Sequence, residues 1–187
     1  MNSSPNTPEP SRRLFFALWP TEPIRQALAE IARSVVCRGN PVSARNFHVT
    51  LAFLGPVDAR RRDCMERMAA EVEAEPFVLR LNRMGCFSRA GIAWSGASRT
   101  PQGLISLVEG LHGRLAECGF IPEKRPFTPH VTLFRKARVE SGSHKAVEWA
   151  VDGFCLVESH RRFLLEPAIA SCAVGRCVMI RETPGGE

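Results

Sequence analysis

Apolar and polar residues alternate in two short stretches of the chain that share the same four residues. The tetrapeptide His-Val-Thr-Leu occurs at 48–51 and again at 130–133. Valine, threonine and leucine are typical of β-strands, in which successive side chains point to opposite faces of the sheet. Each stretch is therefore predicted to be a strand with one histidine and one threonine on one face. The valine and leucine of each strand would face a hydrophobic core.

Helical spacing of apolar residues predicts three helices. Each helix would begin near a residue that can cap a helix N-terminus, and these residues are Thr21, Asp58 and Thr100. The apolar stripes repeat every three or four positions, which is the period of a helix face. They comprise Ile24, Leu28, Ile31 and Val35; Met65, Met68, Ala69 and Val72; and Leu104, Leu107, Val108, Leu111 and Leu115.

Short apolar runs predict further strands. Runs of a length typical of strands lie at 14–19, 77–81, 92–94, 147–151, 154–157 and 177–180. The stretch from Gly85 to Gly91 predicts a hairpin turn or an irregular connection between two of these strands.

The order of the predicted elements repeats along the chain. Strand, helix and histidine-bearing strand follow one another over 14–51 and again over 92–133, which indicates an internal duplication. We predict an α+β fold of two pseudo-symmetric lobes within a single domain over 12–182. Polar residues predict tails at 1–11 and 183–187.

The composition fits a globular protein with a basic surface. Of the 187 residues, 44% are hydrophobic, which is enough for a core, and the net charge is +6. This charge favours a polyanionic partner, although a basic solvated surface would explain it equally well. No apolar run is long enough to span a bilayer, and the N-terminal residues lack the basic and apolar regions of a secretory signal. We therefore expect a cytoplasmic protein with no membrane association.

Seven cysteines lie at 37, 64, 86, 118, 155, 172 and 177. Their number is odd, and no two are spaced as Cys-x-x-Cys, so the sequence predicts neither a disulfide framework nor a zinc site. Reduced thiols in a cytoplasmic protein are the simpler interpretation.

The repeated motif contains the groups that an acid–base reaction on a phosphodiester needs. Histidine takes both proton states near neutral pH, so His48 and His130 in one cleft could act as acid and base. The hydroxyls of Thr50 and Thr132 could donate hydrogen bonds to the phosphoryl oxygens. Neither motif contains a carboxylate, which would repel an anionic substrate.

Three other interpretations of the motif compete with catalysis. A single His-x-Thr would be an ordinary strand sequence, but its repetition at equivalent places argues for a shared site. A zinc site needs three or four ligands, and His112, His144 and His160 share no spacing with the motif. We therefore predict no metal and assign these three histidines to the surface or to helix faces. A binding module that uses the cleft without chemistry stays open.

The residues around the two motifs resemble those of a known family. The matching segments are RRLFFA from Arg12, NFHVTLAFLG from Asn46 and RPFTPHVTLFR from Arg125. With these segments the chain resembles the two-histidine phosphoesterase superfamily, and within it the bacterial RNA 2′,3′-cyclic phosphodiesterases, also called 2′-5′ RNA ligase-like proteins. The similarity extends from about Arg12 to His160. The family often ends in a strand that contains tyrosine, whereas this chain has no tyrosine.

This resemblance implies a fold, a reaction and a role for each site residue. The fold would be bilobal, with antiparallel sheets lining a V-shaped cleft and helices outside. The reaction would be the metal-independent opening of RNA 2′,3′-cyclic phosphate ends to 2′-phosphates, without a cofactor, by a monomer. Family members also join or cut 2′-5′ RNA linkages. His48 would be the proton donor and His130 the proton acceptor, with Thr50 and Thr132 holding the phosphoryl oxygens.

Three further residues are candidates for substrate binding. Arg135 matches a family arginine, but strict alternation would place it on the face opposite His130, so its role requires a bulge or a strand end. Phe16 and Trp94 could stack on a base or pack in the core. The alternative function is that of a non-catalytic protein that binds RNA ends in the same cleft.

Overall fold

The computed structural model of the chain describes residues 11–160 and 171–179. This part of the chain contains three α-helices and nine β-strands. The helices are α1 (Glu22–Ser34), α2 (Ala59–Ala70) and α3 (Gln102–Ala116). The strands are β1 (Arg12–Leu18), β2 (Asn40–Pro41), β3 (Val49–Val57), β4 (Phe77–Phe87), β5 (Ile92–Gly96), β6 (His130–Arg135), β7 (Gly142–Val151), β8 (Gly153–His160) and β9 (Ser171–Met179).

All of these strands join one antiparallel sheet. The order along the sheet is β7-β4-β5-β6-β3-β1-β8-β9, and β2 pairs with the end of β6. The two histidine-bearing strands, β3 and β6, are neighbours and meet at the register pair Val49–Val131. The predicted α+β fold is therefore confirmed, and the strands of its two halves are joined at the two repeated motifs.

The apolar face of each motif strand packs into the main hydrophobic core. Val49, Leu51, Val131 and Leu133 are all buried, as the alternation predicted. The core also takes in every apolar residue of the α3 stripe, together with Leu28 and Ile31 of α1 and Met65 and Ala69 of α2. Burial of these side chains supplies most of the driving force for the fold.

The observed N-caps of the three helices match the predicted capping residues to different degrees. Asp58 caps α2, since its carboxylate accepts a hydrogen bond of 2.8 Å from the Arg61 backbone N–H. Thr21 occupies the N-cap position of α1, but its side chain makes no capping hydrogen bond. At α3 the N-cap position falls on Pro101 and not on Thr100.

The predicted turn between β4 and β5 is shorter than expected. Strand β4 runs on to Phe87, so the turn begins after that residue and ends at Gly91, where the backbone φ is +62°. The left-handed conformation favours glycine at this position. The longer strand adds three residues, Gly85 to Phe87, to the sheet face beside the second motif.

The prediction that the cysteines are reduced thiols is wrong for this structure. Cys64 of α2 and Cys118, just beyond α3, form a disulfide with a Cα–Cα distance of 5.9 Å. Cys155 is also disulfide-bonded. The sequence could not reveal the first bond, because it depends on how α2 packs against α3. Cys37 and Cys86 are free thiols.

Several other predictions concern regions at the limits of the described residues. Strand β9 covers the predicted strand up to Met179. The tail predicted at 183–187 and all but the last residue of the tail predicted at 1–11 lie outside the described residues. No helix among the described residues is long and apolar enough to cross a membrane.

Candidate active site

The two motif histidines lie at the junction of β3 and β6. His130 is the first residue of β6, and His48 directly precedes β3. The pair Val49–Val131 places the two motifs side by side. The structure therefore brings together the two histidines that the repeat singled out.

The histidine rings are held in the same way. The Nδ1 atom of His48 lies 2.7 Å from the backbone oxygen of Asn46, and Nδ1 of His130 lies 2.8 Å from that of Thr128. A carbonyl oxygen can only accept, so Nδ1 carries the proton in both rings. Nε2 of each ring is thus left to accept or deliver a proton, as an acid–base group must.

Both histidine pKa values lie below the ordinary value. Burial lowers the pKa of His48, and the positive charges of Arg135 and His130 lower it further, against the hydrogen bond to Asn46, which raises it. Burial also lowers the pKa of His130, against the hydrogen bond to Thr128. Both rings are therefore predominantly neutral at pH 7 in the free protein.

The two threonines lie on the same sheet face as the histidines. Thr50 pairs with Ala17 of β1, and Thr132 pairs with Trp94 of β5. Both threonines are half-buried. Within residues 11–160 and 171–179 neither hydroxyl has a protein hydrogen-bond partner. Each hydroxyl is thus available to a ligand that enters between the two strands.

Arg135 shares this face because β6 contains a bulge. Thr132 pairs with Trp94, but Phe134 pairs with Ala93, so β6 carries one residue that β5 does not match. The shift returns Arg135 to the face of Thr132, and its charge reaches His48. The bulge that a site role for Arg135 requires is therefore present.

The corresponding position of the first motif carries an aromatic residue. Phe53 lies five residues after His48, as Arg135 lies five residues after His130. Its side chain is 48% exposed, and the Arg13 guanidinium lies 5.4 Å from its ring centroid. The two halves of the site are therefore similar in their histidines and threonines and different at this position.

Comparisons with known proteins agree with this geometry. The family model of LigT-like phosphoesterases matches residues 18–94 and 96–163. This chain belongs to the LigT-like phosphoesterase family. The RNA 2′,3′-cyclic phosphodiesterase of Escherichia coli is 36% identical over 128 residues, covering 67% of this chain and 73% of that protein. The Thermus thermophilus protein of the same name is 33% identical over 167 residues, covering 79% of this chain and 81% of that protein.

Solved structures match most of the chain. The crystal structure of Escherichia coli LigT complexed with 3′-AMP has a TM-score of 0.82 at 29% identity, covering 93% of this chain and 100% of that chain. A crystal structure described as a phosphoesterase has a TM-score of 0.84 at 30% identity, with the same coverage.

Aromatic side chains surround both histidines of this LigT-like site. Phe15 lies 4.9 Å from the His48 ring between centroids, and Trp19 stacks on the same ring at 5.8 Å with an interplanar angle of 6°. Phe87 lies edge-on to His130 at 4.9 Å. Sequence reasoning missed these three aromatic residues. Alternation along β1 places Phe15 and Phe16 on opposite faces, but no polar residue in this run indicates which face meets the site.

The proposed contact of Phe16 with a base is wrong. Phe16 is 1% exposed and packs edge-on against Phe154 in the core at 5.9 Å. Trp94 is buried, since only 8% of its surface is exposed, but its ring lies 6.1 Å from that of His130 between centroids. The ring covers Gly85 of β4, where a Cβ atom would lie 2.2 Å from it. The Trp94 ring therefore packs on Gly85 and lies beside the His130 ring.

The other histidines have structural contacts. His112 of α3 donates from Nε2 to the Leu51 backbone oxygen at 3.0 Å, which confirms the predicted helix-face role. His144 is half-buried, and it bonds the buried Ser95 hydroxyl through Nε2 at 2.9 Å and the Lys145 backbone oxygen through Nδ1 at 2.8 Å. The side chain of His160 lies outside the described residues. Among the described side chains, no three His, Cys, Asp or Glu residues cluster as metal ligands would.

Proposed function

We propose that this protein hydrolyses RNA 2′,3′-cyclic phosphate ends to 2′-phosphates without a metal ion or another cofactor. The observation that carries the proposal is the pair of histidines on adjacent strands, each with Nδ1 bonded to a carbonyl and with no protein partner at Nε2 among the described residues. The names of the curated relatives support the same substrate. Thr50, Thr132 and Arg135 supply hydrogen-bond donors around this pair.

In the proposed reaction, two protons move in opposite directions. Nε2 of His130 takes a proton from water, and the water oxygen forms a bond to phosphorus. The bond from phosphorus to the 3′ oxygen breaks, and Nε2 of His48 delivers its proton to that oxygen. The products are a 2′-phosphate and a 3′-hydroxyl. A 5′-hydroxyl in place of water would form a 2′-5′ linkage by the same steps.

The substrate itself would bring the acid into its reactive state. Because His48 is predominantly neutral in the free protein, it must gain a proton before it can act as the donor. A bound phosphodiester carries a negative charge, which raises the pKa of nearby histidines and offsets the charge of Arg135. Thr50 and Thr132 would then hold the non-bridging oxygens, on which negative charge accumulates in the transition state.

Turnover of a nucleoside 2′,3′-cyclic phosphate tests the proposal directly. We expect hydrolysis at an undiminished rate in excess chelator, and phosphorus NMR should find the product phosphate on the 2′ oxygen. Complete loss of activity in chelator that a divalent ion restores would contradict the two-histidine mechanism, and a 3′-phosphate product would contradict the regiochemistry. Binding of cyclic-phosphate RNA without turnover would indicate the alternative, a non-catalytic RNA-end-binding protein.

Replacing Arg135 with glutamine should raise the pKa of His48. The positive charge of Arg135 is one cause of the lowered pKa, so its removal shifts the titration to higher pH. NMR titration of the histidine ring protons measures this shift without reference to catalysis. Arg114→Gln is a matched control, since Arg114 lies on α3 and is paired with Glu71. A lower His48 pKa in Arg135→Gln, or an equal rise in the control, would contradict the predicted contact.

We also propose that the enzyme acts as a cytoplasmic monomer. Both histidines and both threonines come from a single chain, which supports a monomer. RNA is the proposed substrate, which supports a cytoplasmic location. The Cys64–Cys118 disulfide is unusual for a reducing compartment. Alkylation of thiols in intact cells, followed by mass spectrometry, would measure the redox state of this pair. A fully oxidised pair would argue for another compartment.

A further inference from the structure

A shallow cavity lies on the sheet beside the candidate active site. Its volume is about 330 Å³. The lining contains one guanidinium, three hydroxyls and one amide, and no carboxylate. The lining residues are Asn82, Arg83, Ser98, Ser141, Gly142 and Ser143. Such a set of hydrogen-bond donors around one positive charge suits a phosphate group.

The cavity lies on the same row of the sheet as His130. His130 pairs with Gly96 of β5, Gly96 pairs with Arg83 of β4, and Arg83 pairs with Ser143 of β7. Directly paired residues point to the same face, so Arg83 and Ser143 point to the face of His130. Two interstrand spacings of about 4.8 Å place the Arg83 backbone roughly 10 Å from that of His130.

The residue between His130 and the cavity has no side chain. A Cβ atom at Gly96 would lie 2.9 Å from the Pro129 backbone oxygen and 2.8 Å from the Trp94 ring. Close packing therefore requires glycine at this position. As a consequence, position 96 places no side chain of its own between the guanidinium of Arg83 and the histidine site, and the Trp94 ring covers this part of β5.

Arg83 is available for an anion. Its side chain is exposed and makes no ion pair within residues 11–160 and 171–179. Arg80 of the same strand, by contrast, lies 3.8 Å from Glu148. The cavity lining therefore offers a guanidinium without a carboxylate partner among the described residues, and the lining itself contains no carboxylate.

Two hydrogen bonds between Asn82 and Ser98 hold one wall of the cavity, and they leave the Ser98 hydroxyl able to donate. Asn82 donates from Nδ2 to the Ser98 hydroxyl at 3.0 Å, and the Ser98 backbone N–H donates to Asn82 Oδ1 at 3.0 Å. The Ser98 oxygen accepts in this pair, so its own proton can point into the cavity. A phosphate there would meet the guanidinium and the serine hydroxyls.

We propose that this cavity, the Arg83 subsite, binds a backbone phosphate of the RNA strand that ends in the cyclic phosphate. The inference rests on the proposed function, because it assumes that an RNA end occupies the histidine site. A 2′,3′-cyclic phosphate is the 3′ terminus of its strand, so every other phosphate lies upstream. An oligonucleotide can fill both places, whereas a mononucleotide fills the histidine site alone.

Two substrates and one variant test the Arg83 subsite. The substrates are a nucleoside 2′,3′-cyclic phosphate and a short oligoribonucleotide with the same terminal nucleotide. We expect the ratio of their kcat/KM values to favour the oligonucleotide and to fall about tenfold in Arg83→Gln. The dependence of log kcat/KM on log salt for the oligonucleotide should become shallower by about 0.7, the value for one phosphate contact on a single strand.

The controls separate this inference from the proposed function. Arg80→Gln removes the same charge from the same strand outside the cavity and should leave the ratio unchanged. Arg83→Lys should retain the salt dependence, because it retains the charge. Equal kcat/KM values for both substrates, or an unaltered ratio in Arg83→Gln, would overturn the subsite while the proposed function stands. No turnover of either substrate by the unmodified protein would overturn both.

Discussion

Replacing either His48 or His130 with alanine should abolish most hydrolysis of 2′,3′-cyclic phosphates, and replacing both should cost little more. One histidine must remove a proton while the other delivers one, so each is needed by the same transition state. General acid–base catalysis is worth about 10²–10⁴ in rate, and we expect a kcat loss of that order for each single variant. Residues that act as a unit are not additive. Steady-state rates of the three variants measure the effect.

A stability control is needed because both rings also pack against aromatic side chains. His144→Ala removes another half-buried, hydrogen-bonded histidine and leaves the buried Ser95 hydroxyl without its partner. That variant should lower the thermal midpoint, since an unsatisfied buried group costs about 1–3 kcal/mol, yet retain kcat. If His144→Ala lost as much kcat as His48→Ala and His130→Ala, destabilisation and not chemistry would explain the losses in the two site variants.

The leaving group identifies which histidine is the acid. A 4-nitrophenyl phosphodiester releases an oxygen of low pKa that needs little protonation. It should therefore restore more activity to His48→Ala than to His130→Ala if His48 is the donor. The opposite result would exchange the two roles, because the Nδ1 contacts of the rings are nearly equivalent. Full activity of either single variant on the cyclic substrate would exclude the mechanism.

The pH dependence of kcat/KM follows from the same pair. This parameter reports the pKa values of the free enzyme, and those of both histidines lie below the ordinary value of about 6.5. The profile should be bell-shaped, with activity falling as the pH rises and the acid loses its proton. The charge of Arg135 lowers the pKa of His48, so the limb that belongs to His48 should move to higher pH in Arg135→Gln.

The polar half of the site was predictable because strand alternation is a local property. His48 and Thr50, like His130 and Thr132, are two positions apart, so a single strand is enough to align them. The repeat then indicated that the two strands share a site. That β3 and β6 pair directly was not predictable, because this pairing joins segments far apart in the sequence.

The aromatic half of the site depends on register and was not predicted. The apolar run from Leu14 to Leu18 contains no polar residue that would distinguish its two faces. The sequence therefore leaves Phe16 open to base stacking or core packing, whereas in the structure Phe16 is in the core and Phe15 contacts His48. Phe87 lies in the stretch that its neighbouring glycines marked as a turn. The position of Arg135 required a bulge, and only the pairing of β5 with β6 establishes that the bulge exists.

For the helices too, local features were predictable from the sequence and tertiary packing was not. The apolar stripes predicted the buried faces of α1, α2 and α3, because helical periodicity is also local. How α2 meets α3 is a tertiary property. The Cys64–Cys118 disulfide therefore had no signal in the cysteine spacing. The bond from His112 to the Leu51 backbone oxygen likewise links α3 to β3 across the core.

Replacing Thr50 or Thr132 with valine should lower kcat about 10²–10³-fold, the cost of one transition-state donor at a strong site. Valine keeps the branched shape of threonine and removes only the hydroxyl. Neither hydroxyl has a partner within the described residues, so folding should be little affected. The thermal midpoint checks this expectation.

Serine variants at the same two positions complete the argument. Thr50→Ser and Thr132→Ser retain the hydroxyl and lose the methyl group, so they should keep most of the activity that the valine variants lose. The loss in the valine variants should also appear in kcat and not in KM alone, because the hydroxyls bind charge that grows on the phosphoryl oxygens during the reaction. Near-normal rates in both valine variants, or equal losses in serine and valine variants, would mean that these threonines serve only to form the strands.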